Sequence, residues 1–275
     1  MRKARLVICD IDSTLVVKHQ MLTPRARRVI DTLRERGTYF GLASGRPLFQ
    51  IRASMEMWGY EDFDVLVGMN GASVWDGVDK KEYSYFQMKK EWIRDTFELM
   101  APFESSPSIY LDNAQVFLYE SELKDYQEMF KSMGDEKGMI ALRLANGIEE
   151  MYAQDNGKIM FRVDEKVMPQ VEAWVAAHPN DNYTGFKTQP SLMEFCNKKV
   201  SKAYGMEQFC KMHGFGLEDV AAFGDTTNDN EMIQAAGWGV CMANGSEDTK
   251  AIADEVTEVA CDDDGWADYM EKNFM

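Results

Sequence analysis

Residues Leu6-Val7-Ile8-Cys9 are uninterruptedly apolar and stop at Asp10-Ile11-Asp12. A short apolar run of this kind reads as a strand buried on both faces, with the two carboxylates at its C-terminal end. Asp10 and Asp12 are two residues apart, so on an extended chain they point the same way. Ser13 and Thr14 then turn the chain. In an open parallel sheet, ligands bind outside the carboxyl ends of the strands. The stretch therefore asks for a parallel α/β sheet around it.

The next residues supply one. Thr23-Pro24 is a helix start, a capping hydroxyl followed by proline at the first helical position. Val29, Ile30 and Leu33 form an apolar stripe, and Gly37 ends the helix. Tyr39 to Ala43 is a second buried strand that stops at Ser44-Gly45-Arg46-Pro47, and a helix runs on to about Trp58. Asp64 to Val67 is a third strand, followed by Gly68-Met69-Asn70-Gly71-Ala72. This β-α-β-α-β order implies parallel strands with right-handed crossovers.

Near residue 80 the rhythm breaks. A hairpin is expected across the polar turn at 76–82, after which helices at 89–100, 123–132 and 166–177 interleave irregularly with short strands, ending at Tyr183 to Thr188. That mixture predicts an α+β module. The βα alternation resumes at Met193-Glu194-Phe195, with a helix from Ser201 and a strand Val220 to Phe223 that ends in Gly224-Asp225. The expected organisation is one α/β core over 1–81 and 189–275, interrupted by an α+β insert over 82–188.

Composition limits the function. A hydrophobic content of 45% with 12% aromatics is enough for a packed core, and a formal net charge of -16 argues against a nucleic-acid or anionic-membrane surface. An anionic ligand would then need locally placed cations. No apolar stretch approaches the roughly 20 residues of a membrane helix. The run after Arg2, Lys3 and Arg5 is too short for a secretion signal and is interrupted by Asp10. Five cysteines without a CxxC pair or metal-ligand spacing fit a reducing cytoplasm.

Four segments could carry chemistry. Asp10 and Asp12 can divide the roles of nucleophile and general acid/base, and they are hard oxygen ligands suited to Mg2+. Ser44-Gly45-Arg46 offers a hydroxyl and backbone amides entering a helix, an anion contact or simply a helix cap. Lys202, near a helix start, can place a point charge on a phosphate. Asp225 could add a third carboxylate around a cation, and Asp229 could cap the helix that follows. Every segment follows an apolar strand or opens a helix, so one parallel sheet would gather them at one edge.

Asp10-Ile11-Asp12-Ser13-Thr14-Leu15, Ser44-Gly45-Arg46-Pro47, Lys202 and Gly224-Asp225-Thr226-Thr227-Asn228-Asp229 together resemble the haloacid dehalogenase superfamily, and within it the Cof-type phosphatases with a cap inserted between the second and third motifs. Asn70-Gly71-Ala72, Met242-Ala243-Asn244 and Asp263-Asp264-Gly265-Trp266 are similar to further segments of that subfamily. The resemblance implies a Rossmann-like parallel-sheet core with an inserted α+β cap that closes over the sheet edge and selects the leaving group. It implies Asp10 as nucleophile forming an aspartyl-phosphate, and Asp12 as acid and then base. Mg2+ would be held by Asp10, the backbone carbonyl of Asp12 and Asp225. Ser44, Gly45, Lys202 and Asn228 would bind the phosphate, and Asp229, Thr14 and Arg46 would support them.

The implied activity is hydrolysis of small phosphorylated metabolites such as sugar phosphates or nucleotides, by a cytoplasmic monomer or homodimer. A phosphomutase, a glycosyl-phosphate phosphatase or a non-catalytic phospho-ligand-binding regulator would use the same residue types. Two positions depart from the subfamily pattern. Ser13 and Ala203 stand where glycine is usual, and serine puts a side chain beside the nucleophile. In the insert, Arg143, Lys158 and Lys187 are candidate polar contacts, as is Arg46 in the core.

Overall fold

The structure is a computed structural model that describes residues 2–17, 21–132 and 140–275. In chain order, the first segment holds β1 (Leu6–Cys9), α1 (Pro24–Glu35), β2 (Tyr39–Ala43), α2 (Leu48–Met57), β3 (Val65–Gly68), β4 (Ser73–Asp76) and β5 (Lys81–Ser84). Next come α3 (Lys90–Met100), β6 (Ser106–Leu111), β7 (Ala114–Phe117), α4 (Glu120–Ser132), β8 (Ala141–Leu144), β9 (Lys158–Arg162), α5 (Met168–Ala177), β10 (Tyr183–Gln189) and β11 (Leu192–Asn197). The chain ends with α6 (Lys202–Met212), β12 (Val220–Gly224), α7 (Asn230–Ala235), β13 (Trp238–Cys241), α8 (Glu247–Ile252), β14 (Glu255–Val256) and α9 (Gly265–Asn273). Two compact units result, one of Met1–Ser84 with Ser201–Met275, the other of Tyr85–Val200. Among the described residues no helix is long and apolar enough to cross a membrane.

The first unit is an α/β layer structure on an eight-stranded sheet of order β14-β13-β12-β1-β2-β3-β4-β5. Six strands, β14 through β3, run parallel, and the β4–β5 hairpin adds antiparallel strands at one edge. All four residues of β1 are fully buried, which is what a central strand with both faces covered requires. From β1 the chain moves outward through β2 and β3, then returns on the other side of β1 as β12. The order therefore reverses between β1 and β12, and the crevice at their carboxyl ends is the expected ligand site.

Local chemistry sets the elements around it. Thr23 caps α1 by accepting the amide of Ala26 at 3.0 Å, with Pro24 at the first position. Phe40, Phe63, Phe223 and Trp266 pack edge to face, with Phe40–Phe63 centroids 4.9 Å apart, and they form the centre of the core. Asp76, at the end of β4, accepts the amides of Val78 and Asp79 and faces His213 Nε2 at 2.9 Å, which ties the hairpin to the C-terminal end of α6. Asp76, Asp79 and His213 have ligand atoms close enough for a metal, but both oxygens of Asp76 are taken up by these contacts.

Gly71 makes a close backbone approach. Its φ is +105°, and a Cβ there would lie 2.0 Å from the carbonyl oxygen of Ser201. Gly71→Ala is expected to destabilise the protein by roughly 2–4 kcal/mol, because strain at φ adds to a clash with fixed backbone. Denaturant unfolding checks this, and an unchanged midpoint would refute it.

The second unit is a six-stranded sheet of order β10-β11-β9-β6-β7-β8. Alternation puts Ile159, Phe161, Met193 and Phe195 into one apolar cluster with Ile93, Met100, Val171 and Val175 of α3 and α5. The segment around Met193, read from sequence as the return of parallel βα alternation, is instead β11, antiparallel to both β10 and β9. All six of its residues are buried, so it lacks the period-two pattern that would mark an antiparallel strand.

Candidate active site

The loop after β1 is a tight turn. Leu15 and Val16 both donate to the carbonyl of Ile11, and the amide of Ser13 donates to Val16 at 2.8 Å. Ser13 takes a left-handed φ of 65°, the conformation for which glycine is usual, so the serine carries a strain of about 1 kcal/mol. Its carbonyl accepts the side-chain amide of Asn244 at 2.8 Å, and Asn244 Oδ1 accepts the amide of Cys261. Asn244 thus ties the turn to the segment before α9. Nothing in the sequence marks that link beyond the likeness of Met242-Ala243-Asn244 to a subfamily segment.

Asp10, directly after β1, is buried and donates its amide to Phe223 of β12. Its Oδ1 lies 2.5 Å from Nζ of Lys202, which is fully buried at the first position of α6. The same ammonium lies 2.6 Å from Oδ1 of Asp229. The other oxygen of Asp229 accepts the amides of Asp225 and Thr226, at 3.0 and 3.2 Å. Gly224 permits this, since a Cβ there would lie 2.4 Å from the Cβ of Asp229. Thr14 donates to Asp225 Oδ1 at 3.0 Å. Carboxylate oxygens of Asp10, Asp225 and Asp229 lie within 4.8 Å of one another.

Three carboxylates around one ammonium leave two excess negative charges in a buried place. Burial raises the Asp10 carboxyl well above its ordinary value, Lys202 offsets part of this, and the charges on Asp229 and Asp225 add to it. Burial also works against the charge on Lys202, but the two carboxylates outweigh it and hold the ammonium above its ordinary range. Asp225 is pushed up to about 6, mainly by burial and then by Asp229, with Thr14 and Lys202 opposing. Hard oxygen donors with two excess charges are a donor set suited to a divalent cation such as Mg2+.

The shift at Asp225 makes stability pH-dependent. The folded carboxyl titrates at about 6, above its ordinary 3.8, so the unfolded chain loses that proton first as pH rises. The contribution is fully present below the ordinary range and is lost as pH rises through about 6. In cation-free buffer, Asp225 is expected to lower stability by up to about 1.4 kcal/mol per pH unit across that window, in addition to the fall that the raised Asp10 carboxyl contributes. Asp225→Asn should remove the Asp225 share and make the fall shallower. Denaturant titrations from pH 4 to 8 check it, and parallel curves for the two proteins would refute it.

Asp12 has a different environment. Nη2 of Arg46 donates to both of its oxygens, at 2.6 and 2.7 Å. Nη1 of Arg46 donates to Ser54 Oγ at 3.0 Å, which braces the guanidinium against α2. Ser44 is buried after β2, and its Oγ accepts the amide of Arg46 at 3.2 Å. Its carbonyl accepts the amide of Asn70, whose side-chain oxygen faces Asn228 Nδ2 at 3.3 Å. A Cβ on Gly45 would lie 3.4 Å from Asn70 Oδ1, an ordinary contact, so Gly45 and Asn70 are neighbours.

One group therefore contains Asp10, Thr14, Lys202, Asp225 and Asp229, a second contains Asp12, Arg46 and Ser54, and a third contains Ser44, Gly45, Asn70 and Asn228. Ser54 was not legible from sequence, since a serine in mid-helix carries no signal of its own. Of the cations singled out in the second unit, Lys158 forms a buried pair with Glu194 at 2.9 Å. Arg143 pairs with Glu150 at 2.8 Å at a part-exposed position, and Lys187 with Glu172 at 3.0 Å at an exposed one.

The sequence model of the haloacid dehalogenase-like hydrolase family matches residues 7–270. The chain is 26% identical to phosphatase YwpJ of Bacillus subtilis, over 97% of this chain and 99% of that protein. It is 23% identical to the 5-amino-6-(5-phospho-D-ribitylamino)uracil phosphatase YitU of the same organism, over 99% and 98% of the two chains. A haloacid dehalogenase-like hydrolase from Bacteroides thetaiotaomicron has the same fold, with a TM-score of 0.85 at 24% identity over 99% of this chain and all of that one.

Proposed function

The chain belongs to the haloacid dehalogenase-like hydrolases, and from that membership and the geometry of its site we propose a Mg2+-dependent phosphatase of small phosphorylated metabolites that works through an aspartyl-phosphate. The observation that carries the proposal is the group of Asp10, Asp225 and Asp229 around buried Lys202 at the carboxyl ends of β1 and β12. Asp10 attacks the phosphorus, its Oδ forms the new P–O bond, and the bond to the leaving oxygen breaks. Asp12 gives its proton to that oxygen. Asp12 then takes a proton from a water that attacks the phosphorus, which frees inorganic phosphate and regenerates Asp10.

Phosphoryl transfer needs mainly positioning and charge stabilisation. Lys202, Ser44 with the amide of Gly45, and Asn228 hold the phosphoryl oxygens. Asp229 keeps Lys202 charged and fixed, and Thr14 orients Asp225. Mg2+ would be held by Asp10, Asp225 and the backbone carbonyl of Asp12, and when bound it supplies the positive charge that lets a carboxylate approach a phosphate dianion. Arg46 holds Asp12 in one orientation. The insert, taken as 82–188 from sequence, is the part we assign to selection of the leaving group. The similarity to YwpJ and YitU supports a phosphorylated metabolite as substrate. The five cysteines are all free and buried, which supports a reducing cytoplasm.

A panel of phosphorylated metabolites, assayed for phosphate release with Mg2+ and after chelation, tests the proposal. Release is expected with Mg2+, falling at least about a hundredfold after chelation. Equal release in both conditions would rule out the metal-dependent reading.

A further inference from the structure

Asn70 and Gly71, in the segment between β3 and β4, take no part in the proposed chemistry, yet they touch three of the segments that do. The segment is bent sharply. Met69, Asn70 and Gly71 have left-handed φ values of 48°, 54° and 105° in succession. Two of the three carry side chains, for which this backbone is strained, and such strain collects at functional sites. The bend is held by the carbonyl of Arg46, which accepts the amide of Met69 at 2.8 Å, and by the carbonyl of Ser44, which accepts the amide of Asn70 at 2.9 Å.

Each further contact reaches a different segment assigned to the phosphate. Gly45, beside Ser44, is a neighbour of the Asn70 side chain. Gly71 lies against the carbonyl of Ser201, which caps α6 just before Lys202. Asn70 Oδ1 accepts Nδ2 of Asn228 at 3.3 Å. Ser44 with Gly45, Lys202 and Asn228 come from three distant parts of the chain, and this bend touches all three parts. Asn228 itself is exposed, so few other contacts restrain its amide. Its Nδ2 carries two protons, and Asn70 takes one of them.

We propose that Asn70 is a positioning residue for phosphate binding: it fixes the Asn228 amide so that the second Nδ2 proton meets a phosphoryl oxygen. Asn70 acts through Asn228 and does not touch the phosphate. Asparagine suits the place because it enters the left-handed region more readily than most residues and brings an acceptor with it. The proposal rests on the phosphatase reading for the identity of the ligand.

The probe is inorganic phosphate, titrated calorimetrically into the protein with Mg2+. Asn70→Gly and Asn70→Ala both delete the side-chain amide, but only alanine is strained at a φ of 54°. Phosphate affinity is expected to fall about tenfold in both, while only Asn70→Ala melts lower than wild type. In the ester assay with Asn70→Gly, KM should rise by a similar factor and kcat should change less than about threefold, since the contact serves substrate and transition state alike. Asn228→Ala should lose at least as much affinity, and adding Asn70→Gly to it should cost nothing further. A fall confined to Asn70→Ala would give Asn70 a backbone role only and overturn the proposal. Additive losses in the double variant would overturn it as well, by placing Asn70 on the phosphate directly. Release from no ester in the panel would count against the phosphatase, while a phosphate affinity that depends on Asn70 through Asn228 would still support the positioning role. Wild-type protein that binds no phosphate would sink it.

Discussion

Asp10→Asn is expected to lower phosphate release by at least about a thousandfold while leaving the protein folded. The amide keeps the shape and can still accept from Lys202, but it cannot form the acyl-phosphate bond. Its effect on stability has the opposite sign. Burial raises the Asp10 carboxyl above its ordinary value, so in cation-free buffer the ionised form weakens the folded state as pH rises. Asparagine does not ionise, so the variant should melt at or above the wild-type temperature at neutral pH. Phosphate release and a thermal melt on the same sample give both results. Retained release would remove Asp10 from the nucleophile's role, and a lower melting temperature would contradict the charge argument.

Lys202→Met is expected to cost about 3–5 kcal/mol of stability in addition to activity. The ammonium is fully buried between Asp10 and Asp229, and Asp229 is itself fully buried. Methionine fills a similar volume but leaves two carboxylates facing each other without compensation. Lys202→Met combined with Asp229→Asn should recover a large part of the stability and none of the activity. Denaturant unfolding of the two proteins measures this. Equal losses in single and double variants would show that Asp229 does not depend on the lysine for its charge balance.

How much of this was legible in the sequence depended on whether a residue's role was local. Asp10, Ser44 and Asp225 sit where apolar runs stop, so strand ends could be read directly and one sheet edge followed from them. The capping serine before Lys202 marked the start of α6, and its Oγ accepts the amide of Tyr204 as such a cap should. Roles that depend on a partner far along the chain were not legible. The guanidinium of Arg46 spans from Asp12 to Ser54, and no spacing rule predicts that contact. The complete burial of Lys202 runs against the usual preference of lysine for water. β11 was misassigned because burial on both faces erases the alternation that separates antiparallel from parallel strands. Ser13 is the reverse case. Its left-handed backbone was anticipated by the glycine expected there, and the serine adopts it with support from Asn244.

The pairing of β1 with β12 joins Leu6 to Val220 and Cys9 to Phe223, residues more than two hundred positions apart. During synthesis the chain through β5 leaves the ribosome long before β12 exists. At typical translation rates the interval is on the order of seven to thirty seconds. For that time one ladder edge of β1, a fully apolar strand, has no partner, and such an edge is prone to pair with another chain. The carboxylates of Asp225 and Asp229 and the ammonium of Lys202 arrive late for the same reason. A nascent chain therefore carries Asp10 without the groups that balance its charge, and the carboxylates and their ammonium come together only once α6 and β12 have been made.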